Sequence, residues 1–389
     1  MKNLVMNDRQ FVGVIGGGSI GSDPLGLKTW SGISYSLFSE LQRRKRLRRS
    51  VGIELSRVKK WSYMAKNFHP DHASWRMRFH IDVSYLSALT QEVGRQIQSE
   101  DNSSDFLQIG AKFNTPRVLS SGVRCFSYHD GCVAESMRRI DGPKHVSADR
   151  YRKAIAFEKQ VYHSMTKVFV MSRHLRDILI RDFDVPPERI AVLGAGVNLD
   201  PFPDFLPDKR YESREVLFIG ADFSRKGGWQ LLSAFNIVRQ RYPDAKLHIV
   251  GPADLKIPQN LHHGVEYHGF LSKSKVEDKA KLQSLFRKCS LSVLPSLYEP
   301  FGLAPLESMA HQIPCIASNT GALPEFVVQG KTGDLVEPGN VDELAEKIAN
   351  LIGEPDVLRQ MGEAGRQMVV ERFTWNNVVD RFLKIVSEA

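Results

Sequence analysis

Residues 294–338 read LPSLYEPFGLAPLESMAHQIPCIASNTGALPEFVVQGKTGDLVEP. A strand ends at Leu294. A loop follows with Glu299, Pro300, Phe301 and Gly302, and a helix begins at Gly302 or Leu303 and contains Glu307. Pro305 then falls in the first turn, where its missing N–H leaves no helical hydrogen bond unmade. The amides of Gly302, Leu303 and Ala304 point off the positive end of that helix, an arrangement suited to phosphate. Two carboxylates flank it, Glu299 in the loop and Glu307 in the helix. Carboxylates beside a phosphate site are poor phosphate ligands and good acceptors for sugar and ribose hydroxyls. A nucleotide-sugar offers ribose, diphosphate and hexose together.

Around this stretch, short apolar strands alternate with amphipathic helices, which predicts α/β architecture with parallel sheets. In the first half, strands are expected at Phe11–Ile15, Val51–Leu55, Phe106–Ile109, Val123–Tyr128, Lys167–Met171 and Ile190–Leu193, with a helix over Ser31–Leu47. Ser172 reads as a helix N-cap and Asp130 as a turn residue. Residues 198–215 carry three prolines and little periodicity, and read as a linker. The alternation restarts at Val216–Ile219 and continues through a helix near 228–241 and strands at Lys246–Val250, Val265–His268, Ser290–Leu294 and Pro314–Ser318. Helices dominate from Val341 onward. The expected division is a domain over 1–197, a linker over 198–214 and a second domain over 215–374. Two doubly wound domains in series place ligands beyond the carboxyl ends of their strands, and an interdomain cleft is the expected site.

The N-terminal stretch GVIGGGSIGSDPLG, residues 13–26, fits G-x-G-x-x-G at Gly16, Gly18 and Gly21. A dinucleotide fingerprint puts its third glycine in the opening helix. Here Pro24 and Gly26 delay the helix, and Glu54 comes too late to be the ribose-binding acid. A Walker loop fails as well, since no Lys-Ser/Thr follows. Bare backbone approaching a ligand phosphate is the better use of these glycines.

The chain has 389 residues, 42% hydrophobic and 25% charged, enough for about two domains. No apolar run is long enough to span a membrane. Four cysteines without a C-x-x-C pair point to a reducing cytoplasm rather than to a disulfide scaffold. The formal charge of +9 favours anionic partners. It is densest in RRKRLRR, Arg43–Arg49, which reads either as the solvated end of a helix or as a peripheral contact with the inner membrane face. His69, His72 and His80 cluster in sequence, but no cysteine or acid completes a metal site with them.

The stretch at 294–338 resembles the retaining GT-B glycosyltransferases, in particular the large family-4 group, whose signature is two glutamates separated by seven residues across a P-F-G turn. The resemblance extends through FIGADFSRKGG, LHIVGP, GVEYHGFL, TGALPEFV and ERFTW, and more loosely through DPLGLKTWSGISY, SYHDG and LGAGVNLD. It implies a GT-B fold whose last helix, 375–388, returns to the first domain. It implies a hexosyltransferase that moves a sugar from a UDP- or GDP-linked donor to a glycan, lipid-linked or small-molecule hydroxyl, with retention. Glu307 would hold ribose and Glu299 the transferred sugar. Phe301, Gly302, Leu303 and Ala304 would meet the donor, with backbone near Phe270 at the base. Lys226 would neutralise the leaving diphosphate, and His129 would reach the sugar. Gly32, or the loop holding Gly17 and Gly18, would approach the phosphates. No cofactor and no metal are implied. The family often has arginine after the glycine of the second domain's first strand. Here Ala221 and Asp222 follow Gly220, so Arg225 is expected to supply part of that charge. An epimerase or phosphorylase of the same fold is the alternative. A nucleotide- or nucleic-acid-binding module fits less well, because the aromatic-rich basic motifs of single-strand binders are missing.

Overall fold

The computed structural model describes residues 9–16, 32–98, 104–139 and 142–389. By contacts the chain divides into two units, Met1–Gly196 with Trp375–Ala389, and Val197–Thr374.

In the first unit the order is β1 (Phe11–Gly16), α1 (Ile33–Arg43), β2 (Leu47–Ile53), α2 (Arg57–Lys66), α3 (His72–His80), α4 (Val83–Ile97), β3 (Asp105–Ile109), β4 (Cys125–His129), α5 (Val133–Arg138), α6 (Ala148–Ser164), β5 (Lys167–Val170), α7 (Arg173–Phe183) and β6 (Ile190–Val192). The strands form one parallel sheet in the order β2-β1-β3-β4-β5-β6. Buried Val, Ile and Phe side chains fill its strands, as parallel sheets covered on both faces require. The chain's last helix belongs to this unit. Its Phe382 ring packs 5.1 Å from Phe11 and 4.9 Å from Phe169.

The second unit runs β7 (Glu215–Ile219), α8 (Gly228–Arg241), β8 (Lys246–Val250), β9 (Val265–Tyr267), α9 (Val276–Lys288), β10 (Leu291–Leu294), α10 (Leu303–Ala310), β11 (Cys315–Ser318), β12 (Gly333–Val336), α11 (Val341–Ile352) and α12 (Pro355–Arg372), and α13 (Trp375–Ser387) follows in the first unit. Its sheet is parallel throughout, in the order β12-β11-β10-β7-β8-β9. Strand order reverses between β7 and β10. Open α/β sheets bind ligands beyond the carboxyl ends of the strands at such a switch point. The loops that leave β7 and β10 flank that switch point.

Two sequence expectations shift. The helix expected to Leu47 ends at Arg43, because Lys45 turns the chain at φ 59° and Leu47 opens an edge strand. The RRKRLRR run is thus a helix end, a turn and a charged strand edge, a place where charge discourages pairing with another sheet. Its arginines are tied down. Arg43 and Arg44 both bond Glu40, and Arg44 also reaches Asp380 and Asn376. The second correction is β12, a sixth strand where five were expected. GDLV is too short to carry a period, and a Cβ on Gly333 would overlap the Cys315 carbonyl of the neighbouring strand.

Candidate active site

The chain leaves β7 through Gly220 into a tight turn that ends at Gly227, the N-cap of α8. Asp222 organises it, its carbonyl accepting from the Lys226 amide at 3.0 Å and its carboxylate from the Arg225 amide at 3.3 Å. The chain leaves β10 through Ser296 to Gly302. The Leu297 amide donates to the Arg225 carbonyl at 2.9 Å and joins the two loops. This places Lys226 against Glu299, with Nζ 2.7 Å from Oε2. The same oxygen accepts from Ser296 Oγ at 3.3 Å, and Arg225 Nη1 stands 3.7 Å away. Glu299 is only 6% exposed, so its charge is answered by nearby cations and a hydroxyl rather than by bulk water.

Arg225 is not a free cation. Its Nε donates to Asp222 at 3.0 Å and its Nη1 to the Tyr298 carbonyl at 2.8 Å. The guanidinium spans the two loops beside Glu299.

At Gly302 the backbone takes φ 98°, left-handed space that a side chain resists, and there a Cβ would stand 2.7 Å from Leu323. That turn lets α10 start at Leu303, and among the described residues no side chain caps its N-terminus. The first-turn amides are therefore left for an anion. Gly321 presses on the same loop, where a Cβ would overlap the Glu299 carbonyl. The Phe301 ring turns inward, 5.6 Å from Phe326 and 6.4 Å from Phe373, and pins the loop to the core.

Glu307, one turn into α10, is 4% exposed and forms an ion pair with Lys273. Its carbonyl meets His311 Nδ1 at 2.8 Å. Sequence reasoning missed Lys273. It stands three residues after the exposed Phe270 in GFLSK, and its partner lies 34 positions on, beyond any local pattern. The second unit thus brings together Lys226, Arg225, Glu299, Gly302, Leu303, Ala304 and Glu307 around two Lys–Glu pairs.

In the first unit, His129 ends β4 with its ring buried, 5.0 Å from the Tyr162 ring, and its Nε2 has no hydrogen-bond partner among the described residues. Burial pushes its pKa down to about 3, so the imidazole is neutral at physiological pH. Gly32 is the N-cap of α1 at φ 78°. Gly17 and Gly18 lie outside the described residues.

Residues able to hold a metal sit elsewhere, in two overlapping groups, Glu215 with His248 and Cys289, and His248 with Glu266 and His268. His248 Nε2 faces Glu215 Oε2 at 2.7 Å, and Nδ1 faces His268 Nε2 at 3.1 Å. A carboxylate only accepts, so Nε2 carries the proton and Nδ1 accepts from His268. Burial, its largest cause, lowers the His248 pKa and keeps the ring neutral. The hydrogen-bond relay satisfies both nitrogens of His248. His69, His72 and His80 join no such group among the described residues.

The family model "Glycosyl transferases group 1" matches residues 206–368. An uncharacterised glycosyltransferase of Methanocaldococcus jannaschii is 32% identical over 279 residues, 68% of this chain and 74% of that protein. The chain belongs to the group 1 glycosyltransferases. A further relative in that family, an MMP alpha-(1->4)-mannosyltransferase of Mycolicibacterium hassiacum, is 30% identical over 62% of this chain. The match spans 58% of that protein's length. In three dimensions the chain is similar to Anabaena HepE in complex with UDP-glucose, with a TM-score of 0.62 and 18% identity over 97% of this chain and all of that one, 100%. The fold of this glycosyltransferase is GT-B, two Rossmann-like units each built on a parallel six-stranded sheet.

Proposed function

We propose that this protein is a retaining hexosyltransferase of the family-4 type, taking a sugar from a UDP- or GDP-hexose to a hydroxyl acceptor, glycan, lipid-linked or small. The observation that carries the reading is the uncapped N-terminus of α10 at the switch point of the second sheet, flanked by the Lys226–Glu299 and Lys273–Glu307 pairs. The amides of Leu303 and Ala304 take the diphosphate, and Lys226 exchanges part of its contact with Glu299 for the phosphate. Glu307 accepts from the ribose hydroxyls and Glu299 from the hexose, with the base lying along the backbone near Phe270. Arg225 positions Glu299. In the first unit, the neutral His129 offers its unpartnered Nε2 to a sugar hydroxyl, and Gly32 brings backbone to a phosphate. The UDP-glucose bound to Anabaena HepE supports a nucleotide-sugar donor.

The bond from the anomeric carbon to the β-phosphate oxygen breaks as the bond to the acceptor oxygen forms on the same face. The acceptor's proton passes to the departing phosphate. The negative charge that grows on the diphosphate is met by Lys226 and the helix amides, fixed donors of the kind that contribute most to such steps. We assign the electrostatic part that a metal plays in other transferases to Lys226, and the work to the cytoplasm.

A panel of UDP- and GDP-hexoses, scored for thermal stabilisation and slow hydrolysis, tests the reading. One donor should stabilise the protein and be hydrolysed, and Glu307→Ala should abolish both effects. Conversion of a donor into its epimer without acceptor would replace the reading with the epimerase alternative.

A further inference from the structure

Helix α2 carries a face that the donor site leaves unused. Lys60 and Asn67 are buried on its inner side, and Lys60 bonds Glu54 at 2.9 Å. Val58, Trp61, Ser62 and Ala65 are exposed, and at 3.6 residues per turn they form one stripe. Val58 is 81% exposed, Trp61 57%, and Phe68, just beyond the helix, 64%. Arg57 borders the stripe on one side and Lys59 and Lys66 on the other. Residues 57–70 contain no acid. Arg57 and Lys59 have no ion-pair partner among the described residues, while Lys66 reaches Asp82 at 3.2 Å and stays more than half exposed. The surface beneath is braced. Trp75 Nε1 donates to the Met64 carbonyl at 2.9 Å, and the Trp75 ring meets Phe68 edge-on at 6.0 Å.

We propose that this face of α2 docks on an anionic membrane surface, with Val58, Trp61 and Phe68 entering the headgroup layer and Arg57 and Lys59 meeting lipid phosphates. Large apolar side chains ringed by cations, with a tryptophan among them, match the boundary between headgroups and acyl chains. A complementary protein surface would need its own acids to answer these cations, whereas an anionic leaflet supplies them anywhere. Each cation near such a surface strengthens partitioning about fivefold (about 1 kcal/mol). RRKRLRR, the denser run in the sequence, is the weaker candidate, because Arg43 and Arg44 are engaged by Glu40, Asp380 and Asn376. The docking face is independent of the donor reading and would stand if the sugar assignment failed.

Sedimentation of the full chain with vesicles tests it, using phosphatidylcholine alone and phosphatidylcholine with about one-third phosphatidylglycerol. Binding to the anionic vesicles alone, weakened by salt, is expected. Arg57→Glu with Lys59→Glu should lower it by about 25-fold or more, and Val58→Ser with Trp61→Ser by about tenfold or more. Arg48→Gln with Arg49→Gln should cost less than about fivefold. All three double variants should keep the melting temperature and the UDP affinity of the parent. The proposal is overturned if neutral and anionic vesicles bind alike, if neither α2 variant loses binding, or if light scattering shows that the same substitutions dissolve a dimer.

Discussion

Replacing Glu299 by glutamine separates its ion pair with Lys226 from the sugar-binding role proposed for it. In the unliganded protein Glu299 Oε2 is the anion for Lys226 at 2.7 Å and accepts from Ser296 at 3.3 Å, with Arg225 at 3.7 Å. Glutamine keeps the shape and removes the charge. A hydrogen bond to a charged group contributes roughly 1.5–3 kcal/mol. Partial exposure of Lys226 brings the expected loss toward the lower end, about 1–2 kcal/mol. For a unit of this size that lowers Tm by about 2–8 °C. The Lys226 ammonium, released from its carboxylate, then has the donor diphosphate as its main counter-charge. UDP affinity should hold or rise up to about tenfold, and UDP should restore more Tm to the variant than to the parent. Turnover should fall by roughly 10–100-fold, because a neutral amide is a poorer acceptor for the sugar hydroxyls. Calorimetry with UDP, melting curves with and without UDP, and single-turnover rates cover the three effects. A loss of UDP affinity of tenfold or more would refute the reasoning, since it would place Glu299 on the nucleotide rather than on the sugar.

Glu307→Ala should weaken UDP by about tenfold or more, because ribose is part of UDP; Lys273→Ala should weaken it less, and calorimetry on both ranks them. Lys226→Ala should lower kcat/KM by roughly 10²–10³, and steady-state rates on the best donor decide. Arg225→Ala, a change in a positioning residue, should cost about tenfold in single-turnover rate at saturating donor, with UDP affinity kept; a loss of UDP affinity would make Arg225 a phosphate ligand. Glu158, bonded through the Val133 amide at 2.9 Å, is pushed up to about 8 by burial. Folding holds its proton where the unfolded chain has released it, so this residue's stability contribution is complete at acid pH and is lost as pH rises toward 8. Glu158→Gln should flatten that decline in a pH series of melting curves.

The α/β class and the core of the site were legible because their signals are local. Pro305, allowed only in a first turn, fixes where α10 starts, and the seven-residue gap fixes Glu299 against Glu307 across that start. The Lys226 loop was legible through RKGG. What was missed depends on distance. Lys273 reaches Glu307 only because the loop between β9 and α9 comes against α10 in the fold. Arg225 read as a cation standing in for the arginine absent at Ala221, and its bonds to Asp222 and the Tyr298 carbonyl were not readable from the sequence. The packing of the Phe301 ring with Phe326 and Phe373 is a cluster that no spacing announces. Helices α2 and α3 carry so many basic and polar residues that their apolar period is faint, and the outward face of α2 went unread for that reason.

The central claim is that the second unit's two Lys–Glu pairs and open helix end hold a nucleotide-sugar for transfer with retention. Proton NMR during the first minutes of reaction with an α-linked UDP- or GDP-hexose observes the anomeric configuration before mutarotation. The account predicts that the new product carries the α configuration of the donor, and that Glu307→Ala forms none of it under the same conditions. A β-configured first product, or transfer undiminished in Glu307→Ala, would contradict it.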